Sequence, residues 1–403
     1  MRHLVIAALL LGVLTPQIGA AQVVAEPGSE LEVYVMTMGQ GDYVWERFGH
    51  NALGIRDRAR GTDVIYNWGT FSFDDPGFVP RFLTGRMRYW VQAEDAARAL
   101  EVYRYLNRSI WIQELRLTPA QRLAAKAFVE WNVREENKFY RYDYFGDNCS
   151  TRVRDALDRI LEGGFKTQFE SRPSGRTFRD ETRRLTLGGF WTYVGIDVAL
   201  GTPSDREMTR WEAMYVPGAV RAALREFRVE TSTGLEPLVA SEQQVFAARR
   251  GAEADAPRVP FALLLSLGTL VAVAIWLLAL RGGAPGIGVA RLLAATWSLV
   301  SGLLGVVLVL MWTATDHVWT HANVNLLLFS PLWLAAAWLL VRRRWRGSVS
   351  ARRLAWGLGC LLGLGLVAAG LRNPQRMEVA VALALPLHAA AVWLLGRREE
   401  AAA

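Results

Sequence analysis

Cys149 and His50 are the two residues of this chain best suited to covalent chemistry. Cys149 is the single cysteine between the signal-like N-terminus and the first membrane-length apolar run, so it has no disulfide partner within its own domain. It stands in Asp147-Asn148-Cys149-Ser150-Thr151, ahead of Val153, Ala156, Leu157, Ile160 and Leu161 at helical spacing, and Gly163-Gly164 stops that run. The sulfur therefore falls at a helix N-terminus. There the unsatisfied backbone N–H groups and the helix dipole favour thiolate over thiol, lowering a reference pKa of about 8.5. His50 is the only histidine between residues 22 and 258. A thiol that attacks a carbonyl needs a base to take its proton, and an imidazole supplies one near neutral pH. The plainer readings are a small buried apolar cysteine and a structural histidine. The cap position of the one and the singleton status of both favour nucleophile and base. Cys360, in an apolar helix, reads as inert packing.

The elements that must position this pair follow from hydrophobic period and turn signals. Residues 31–37 read as a strand, followed by the loop MGQGDYVWERFG and then by a second strand, HNALGIR, that opens on His50. DVIYNW makes a third strand. Residues 93–107 are helical in pattern, 109–117 strand-like, and 119–136 a helix with Pro119 in its first turn. An aromatic run, Phe139 to Phe145, leads into the Cys149 helix. The stretch TLGGFWTYVGIDVALG reads as a strand pair or an apolar loop at a membrane, and residues 232–250 as a linker. The class is α+β, large enough for a real core.

Residues 1–21 carry Arg2 and His3, an apolar core from Leu4 to Leu14, and small residues at Gly19-Ala20-Ala21, the pattern of a secretory signal. Residues 22–258 then form an exported domain. Five apolar runs follow within 259–397, at about 259–280, 292–312, 324–341, 354–371 and 379–395. Threading them from an outside start puts Arg281, Arg291, Arg342, Arg343, Arg344, Arg346, Arg352, Arg353, Arg397 and Arg398 inside, and Arg372 and Arg376 outside, in keeping with the positive-inside rule. The formal charge of +8 does not point to nucleic acid, because residues 22–258 hold 33 Lys and Arg against 34 Asp and Glu. The basic excess belongs to the membrane part.

The histidine strand precedes the cysteine helix, the reverse of the order in papain-like enzymes. In that order, and in the Asn-Cys pair that opens the helix, the chain resembles circularly permuted NlpC-type hydrolases and lecithin retinol acyltransferase-like enzymes. The words around the pair carry the likeness further. ERFGHNAL (46–53), YNWGTF (66–71) and YDYFGDNCSTR (142–152), with TDH (315–317) and NVNLL (323–327) in the membrane part, resemble the Lnb family of bacterial lipoprotein N-acyltransferases. The resemblance implies a permuted papain-like (NlpC-type) exported domain and an all-α domain of five transmembrane helices. It implies location in the bacterial inner membrane with the catalytic domain in the periplasm, lipoprotein and phospholipid substrates, no nucleic-acid partner and no cofactor. It also implies acyl transfer to the α-amino group of a lipoprotein, with Cys149 carrying the acyl chain as a thioester and His50 as base.

Backbone N–H groups at Cys149 and Ser150 are candidates for an oxyanion hole. Asn67, on the strand after that of His50, is a candidate to orient the imidazole, though a strand-end turn residue before Trp68-Gly69 accounts for it as well. Asn148 and Asp147 suit helix caps, and Asn148 also stands next to any substrate. Glu46 and Arg47 either pair with one another or meet a headgroup. Asp316, His317, His321 and Asn325 lie on the outer side, where they meet either a lipid headgroup and substrate or the soluble domain. His317 and His321 at i, i+4 lack a third histidine, an incomplete set for a metal. Trp319 and Trp333 fit interfacial anchors. Two other functions use the same residues: a cell-wall peptidase of the NlpC type, and an envelope sensor in which the pair is structural. Five spans exceed what a tethered peptidase needs.

Overall fold

The computed structural model describes residues 26–251, 253–342, 347–371 and 375–397. The expected signal segment lies outside them, as do Arg343, Arg344, Arg346, Arg372 and Arg398 of the arginine bias. The exported part is α+β. Its strands are β1 (Leu31–Met38), β2 (His50–Asp57), β3 (Thr62–Thr70), β4 (Arg88–Asp95), β5 (Ile110–Leu115) and β6 (Phe139–Arg141), then the short pairs β7 (Pro173–Thr177) with β8 (Glu207–Thr209) and β9 (Arg228–Thr231) with β10 (Gly234–Pro237), and β11 (Val239–Phe246). Seven of these form one antiparallel sheet in the order β11-β5-β1-β2-β3-β4-β6. Its helices are α1 (Phe78–Thr84), α2 (Ala96–Tyr105), α3 (Pro119–Asn132), α4 (Cys149–Ile160), α5 (Gly164–Phe169), α6 (Phe178–Thr186), α7 (Phe190–Ala199), α8 (Arg210–Ala213) and α9 (Pro217–Glu226).

Alternation along β1 sends Val33 and Val35 to one face and Tyr34, Met36 and Met38 to the other. Both faces are covered. α2 lies on the second face through Ala96 and Ala99, and α3, α4 and α9 lie on the first through Val129, Leu157 and Leu224. Residues 232–250 are not a plain linker, since Val239–Phe246 pairs with β5 as the sheet's edge. The stretch after Thr186 is not a strand pair either. Residues 190–199 form α7, whose Tyr193, Val194 and Val198 join the same core as the membrane helices.

Among the described residues four helices are long and apolar enough to cross a membrane: α10 (Phe261–Arg281), α11 (Gly283–Thr313), and the helices Val349–Gly370 and Glu378–Gly396. The expected span at 324–341 is not a continuous helix. It opens as a short 3-10 turn, Val324–Leu327, breaks at Ser330-Pro331, and resumes as α12, Trp333–Val341, only 9 residues and about 14 Å long, against the roughly 30 Å of a hydrocarbon core. With α12 named, the two remaining spans are α13 (Val349–Gly370) and α14 (Glu378–Gly396). Pro331 cannot donate to a helix, and the broken backbone is tolerated because protein surrounds it. A Cβ on Gly305 of α11 would stand 2.1 Å from the carbonyl oxygen of Phe329, and the Trp333 indole N–H donates to Leu328 O at 2.7 Å. Cys360 is exposed on α13 rather than packed inside.

A charge network joins the two parts. Arg179, fully buried, is bidentate on Asp205 (Nε to Oδ1 and Nη2 to Oδ2, both 2.9 Å) and donates to Leu200 O. Arg183 bridges Asp197 of α7 at 2.5 Å and Glu378 of α14 at 2.9 Å. Charges this deeply buried stabilise only while paired, and breaking one such pair costs about 3–5 kcal/mol.

Candidate active site

α4 begins where the sequence places it, and the cap explains why. The Asn148 Oδ1 accepts from the N–H groups of Ser150 (2.9 Å) and Thr151 (3.0 Å), while its Nδ2 donates to Tyr144 O and Tyr215 O, both at 3.0 Å. The side chain is buried and its hydrogen-bonding capacity is used in the fold, so Asn148 stands beside the site as its support. Ser150 N–H, engaged in this cap, is not free for an oxyanion. The N–H of Cys149, at the first helical position, has no intrahelical acceptor to satisfy it.

His50 opens β2 opposite Met38 of β1 and follows Gly49, where φ is +84°. A Cβ on Gly49 would stand 2.8 Å from Met38 O, so conformation and space both exclude a side chain there. The His50 Nε2–H donates to Oδ1 of Asn67 at 3.0 Å. Asn67 is buried on β3, and the adjacent ladder slips register between Trp68 and Thr70, a bulge at Gly69 (φ +92°). That bulge carries β3 up to the nucleophile: a Cβ on Gly69 would lie 3.4 Å from Cys149 Cβ. With Nε2 committed to Asn67, Nδ1 is the ring atom left for the thiol. The His50 imidazole and the backbone N–H of Asn51 favour the ionised form of the Cys149 thiol, and Ser150 Oγ lies 3.9 Å from its sulfur. Burial pushes its pKa up, but the charge and hydrogen bond of His50, with the Asn51 and Ser150 contacts, outweigh burial and bring it down from 9.0 to about 7.

Two residues near the thiol carry no signal in the sequence beyond their type. The Tyr140 hydroxyl, on β6, is buried without a hydrogen-bond partner and lies beside the same Gly69 position as Cys149. Arg108 is buried behind His50, donating to Gly39 O at 2.9 Å and lying 5.1 Å over the Tyr103 ring, which in turn faces the imidazole at 6.3 Å. Burial holds its guanidinium below the usual range.

The other sequence candidates are placed elsewhere. Glu46 and Arg47 do not pair. Glu46 turns inward, 3.8 Å from Arg108, and Arg47 extends along the Gly188-Gly189 turn ahead of α7. Asp316, His317 and Asn325 hold the membrane part to the exported part. The Asp316 carboxylate takes Arg86 at 2.9 Å and Arg141 at 3.0 Å, and these arginines lower its pKa. The His317 Nε2–H donates to Phe82 O at 2.9 Å, and the His321 ring to Thr315 O at 3.1 Å. Asn325 donates to Val198 O and Asn323 to Val198 O and Ala199 O, each at 2.9 Å. Trp319 is not an interfacial anchor: its indole N–H donates to Asp143 at 2.9 Å and its ring lies 4.4 Å from that of Phe178. Trp333 is buried within the bundle, 4.2 Å from the His388 ring.

Two residues beyond Gly69, Phe71 joins Trp45 and Phe73 in an aromatic group. Trp45 meets Phe71 at 6.3 Å and Phe73 at 5.6 Å, and both Trp45 and Phe73 are exposed. Fold and site thus define a membrane protein whose exported α+β domain carries a cysteine whose pKa a histidine lowers and an asparagine that holds that histidine. Two family models match the chain, the Lnb N-terminal periplasmic domain over residues 26–185 and the Lnb transmembrane domain over residues 256–397. The chain belongs to the Lnb family, as a membrane protein with a periplasmic domain. No curated protein and no solved structure matches it.

Proposed function

We propose that this protein is a thiol acyltransferase of the inner membrane that moves an acyl chain from a glyceride ester to the N-terminal amine of a lipoprotein. The observation that carries this reading is the Cys149–His50–Asn67 arrangement, close in sequence to an aromatic group with exposed Trp45 and Phe73, on a domain bound to membrane helices. A histidine strand ahead of a cysteine helix on one face of the sheet is also the arrangement a permuted papain-like domain would have.

In the first half-reaction the Cys149 thiolate attacks the ester carbonyl, forming the C–S bond. The C–O bond then breaks, and the departing alkoxide takes the proton held on His50. In the second, the incoming amine attacks the thioester, His50 accepts its proton, and the C–S bond breaks to return the thiolate. Asn67 holds the ring in the tautomer that leaves Nδ1 toward sulfur. The N–H of Cys149 and the unpartnered Tyr140 hydroxyl are the donors for the oxyanion of each tetrahedral intermediate. Arg47, with no carboxylate at ion-pair distance among the described residues, is the cation for a lipid phosphate. The broken segment 324–341 is the fifth crossing in this reading, returning the chain to the inner side before α13.

The test is N-terminal acylation of a reporter lipoprotein, read by mass spectrometry in a host lacking its own enzyme. The wild-type chain is expected to acylate it. Cys149→Ala is expected to remain folded in the membrane and lose activity by a factor on the order of 10⁶. Normal acylation by that variant sinks the mechanism.

A further inference from the structure

Helix α1 carries an apolar face that the exported domain does not cover. Val79, Phe82 and Leu83, at i, i+3 and i+4, are 60%, 49% and 63% exposed, while Phe78 turns inward onto Phe71 at 5.5 Å. Single exposed apolar side chains are ordinary, but this face continues into Phe73 and Trp45 as a contiguous patch.

What adjoins the patch is the end of a membrane helix. α11 ends at Thr313, and within four residues Asp316 N–H donates to Thr84 O at 2.8 Å and His317 to Phe82 O at 2.9 Å. Gly85 approaches so closely that a Cβ there would lie 2.8 Å from the Asp316 carbonyl carbon. The last turn of α1 is therefore fastened by two backbone carbonyls to the chain that follows the membrane-length helix α11. Arg86 and Arg141, held by Asp316, follow on the polar side, as basic residues do at the headgroup level. A second short helix repeats the pattern: α7 buries Tyr193 and Val198 in the core shared with the membrane helices and leaves Trp191 82% exposed.

We propose that α1 lies in the outer-facing leaflet of the bilayer, with Val79, Phe82 and Leu83 among lipid acyl chains, as a lip between the membrane and the thiol. The occupant of this surface is lipid, because the position of α1 beside the end of α11 places it at the membrane boundary. From the lip, rings meet in succession: Phe82 to Phe78 at 6.0 Å, Phe78 to Phe71 at 5.5 Å, Phe71 to Trp45 at 6.3 Å. Phe71 follows Gly69-Thr70 directly, next to Cys149. An acyl chain sliding along these rings reaches the sulfur without crossing water, a consequence that rests on the acyltransferase reading, whereas the membrane contact does not.

The experiment uses the full chain with Cys149 and Cys360 replaced by Ser, in phosphatidylethanolamine–phosphatidylglycerol vesicles. A single cysteine is introduced by Leu83→Cys, or by Leu235→Cys as control, and labelled with an environment-sensitive fluorophore. Leu235 is as exposed as Leu83 but sits on the β9–β10 hairpin, by the end of α4 remote from Cys149. Spin-labelled lipid in the vesicles is expected to quench the Leu83 label at least about twofold more than the Leu235 label, with a blue-shifted emission. Equal quenching at the two positions overturns the proposal. This readout needs no enzymatic activity, so it stands or falls apart from the Cys149→Ala result. For the route to the thiol, Val79→Asp with Leu83→Asp is expected to lower reporter acylation severalfold while Cys149 alkylation in detergent is unchanged. Undiminished acylation by that variant overturns the lip as a route.

Discussion

The His50–Asn67–Cys149 group and the loop from Thr315 to Asn325 are both dense in polar residues, and they differ in what those polar atoms have left to do. In the loop nearly every group is committed to holding the two parts of the chain together: a carboxylate to two arginines, an imidazole and two amides to backbone carbonyls, an indole to Asp143. At the candidate site the His50 imidazole favours the ionised form of the Cys149 thiol, and the neighbouring Tyr140 hydroxyl has no partner at all. Residue type does not separate a site from a joint. An unpartnered buried hydroxyl next to a thiol marks a group with capacity left for a ligand, since a buried donor without a partner costs free energy. In the loop the one such atom among the described residues, Asn325 Oδ1, has no nucleophile beside it.

Replacing His50 tests that contrast most severely. The Cys149 thiol ionises near pH 7, so iodoacetamide labelling in a Cys360→Ser background is expected to be fast above pH 7 and to fall as the thiol is protonated below it. His50 supplies the leading causes that lower this value, whereas burial raises it. His50→Ala is therefore expected to move the midpoint above 9.0 and to slow labelling at pH 7 roughly 50-fold or more. A midpoint that stays near 7 would show that the imidazole does not set the thiol's acidity and would break the pairing.

Asn67→Ala tests the same group one residue further from the sulfur. The nucleophile and base remain, but the ring loses the acceptor that fixes its tautomer and orientation, and a misplacement of about 1 Å costs roughly 10²-fold in rate. The expected change is in kcat for reporter acylation with KM little altered. A rate within twofold of the parent would leave Asn67 as the strand-end residue that its neighbours Trp68 and Gly69 suggest.

The smallest effect is expected in the loop. Asp316→Asn removes two exposed ion pairs, with Arg86 and Arg141, of the kind that contribute little in water. Reporter acylation is expected within about twofold of the parent. A fall of tenfold or more with raised KM would return Asp316 to the substrate side and erase the distinction between joint and site.

Much of the half that carries the candidate site was legible before folding. α4 has an apolar stripe, an asparagine cap and a glycine stop, all local signals, and β2 and β3 have clear strand patterns. The misread elements are those whose character comes from neighbours. β11 alternates weakly because an edge strand is half in water, so its polar residues resembled a linker. α7 is mostly apolar, with Tyr193, Val194 and Val198 packed in the core of the membrane helices, which hides the helical period. The run from Val324 to Val341 is apolar enough to span, and the break at Ser330-Pro331 is accommodated by the close approach of Gly302 and Gly305.

What the sequence determined by itself is local: a lone thiol at a helix start, a lone imidazole at a strand start, a neutral exported domain and a basic membrane part. What only the tertiary structure decided is which groups meet. That His50 turns Nε2 to Asn67 and leaves Nδ1 to sulfur, that Asn148 commits its amide and the Ser150 N–H to a cap, and that Asp316 and His317 are joints all depend on contacts that the fold alone creates. Hydrogen bonds act over about 3 Å. Period and composition report the environment along one element, and they carry no information on which distant donor will arrive within that distance.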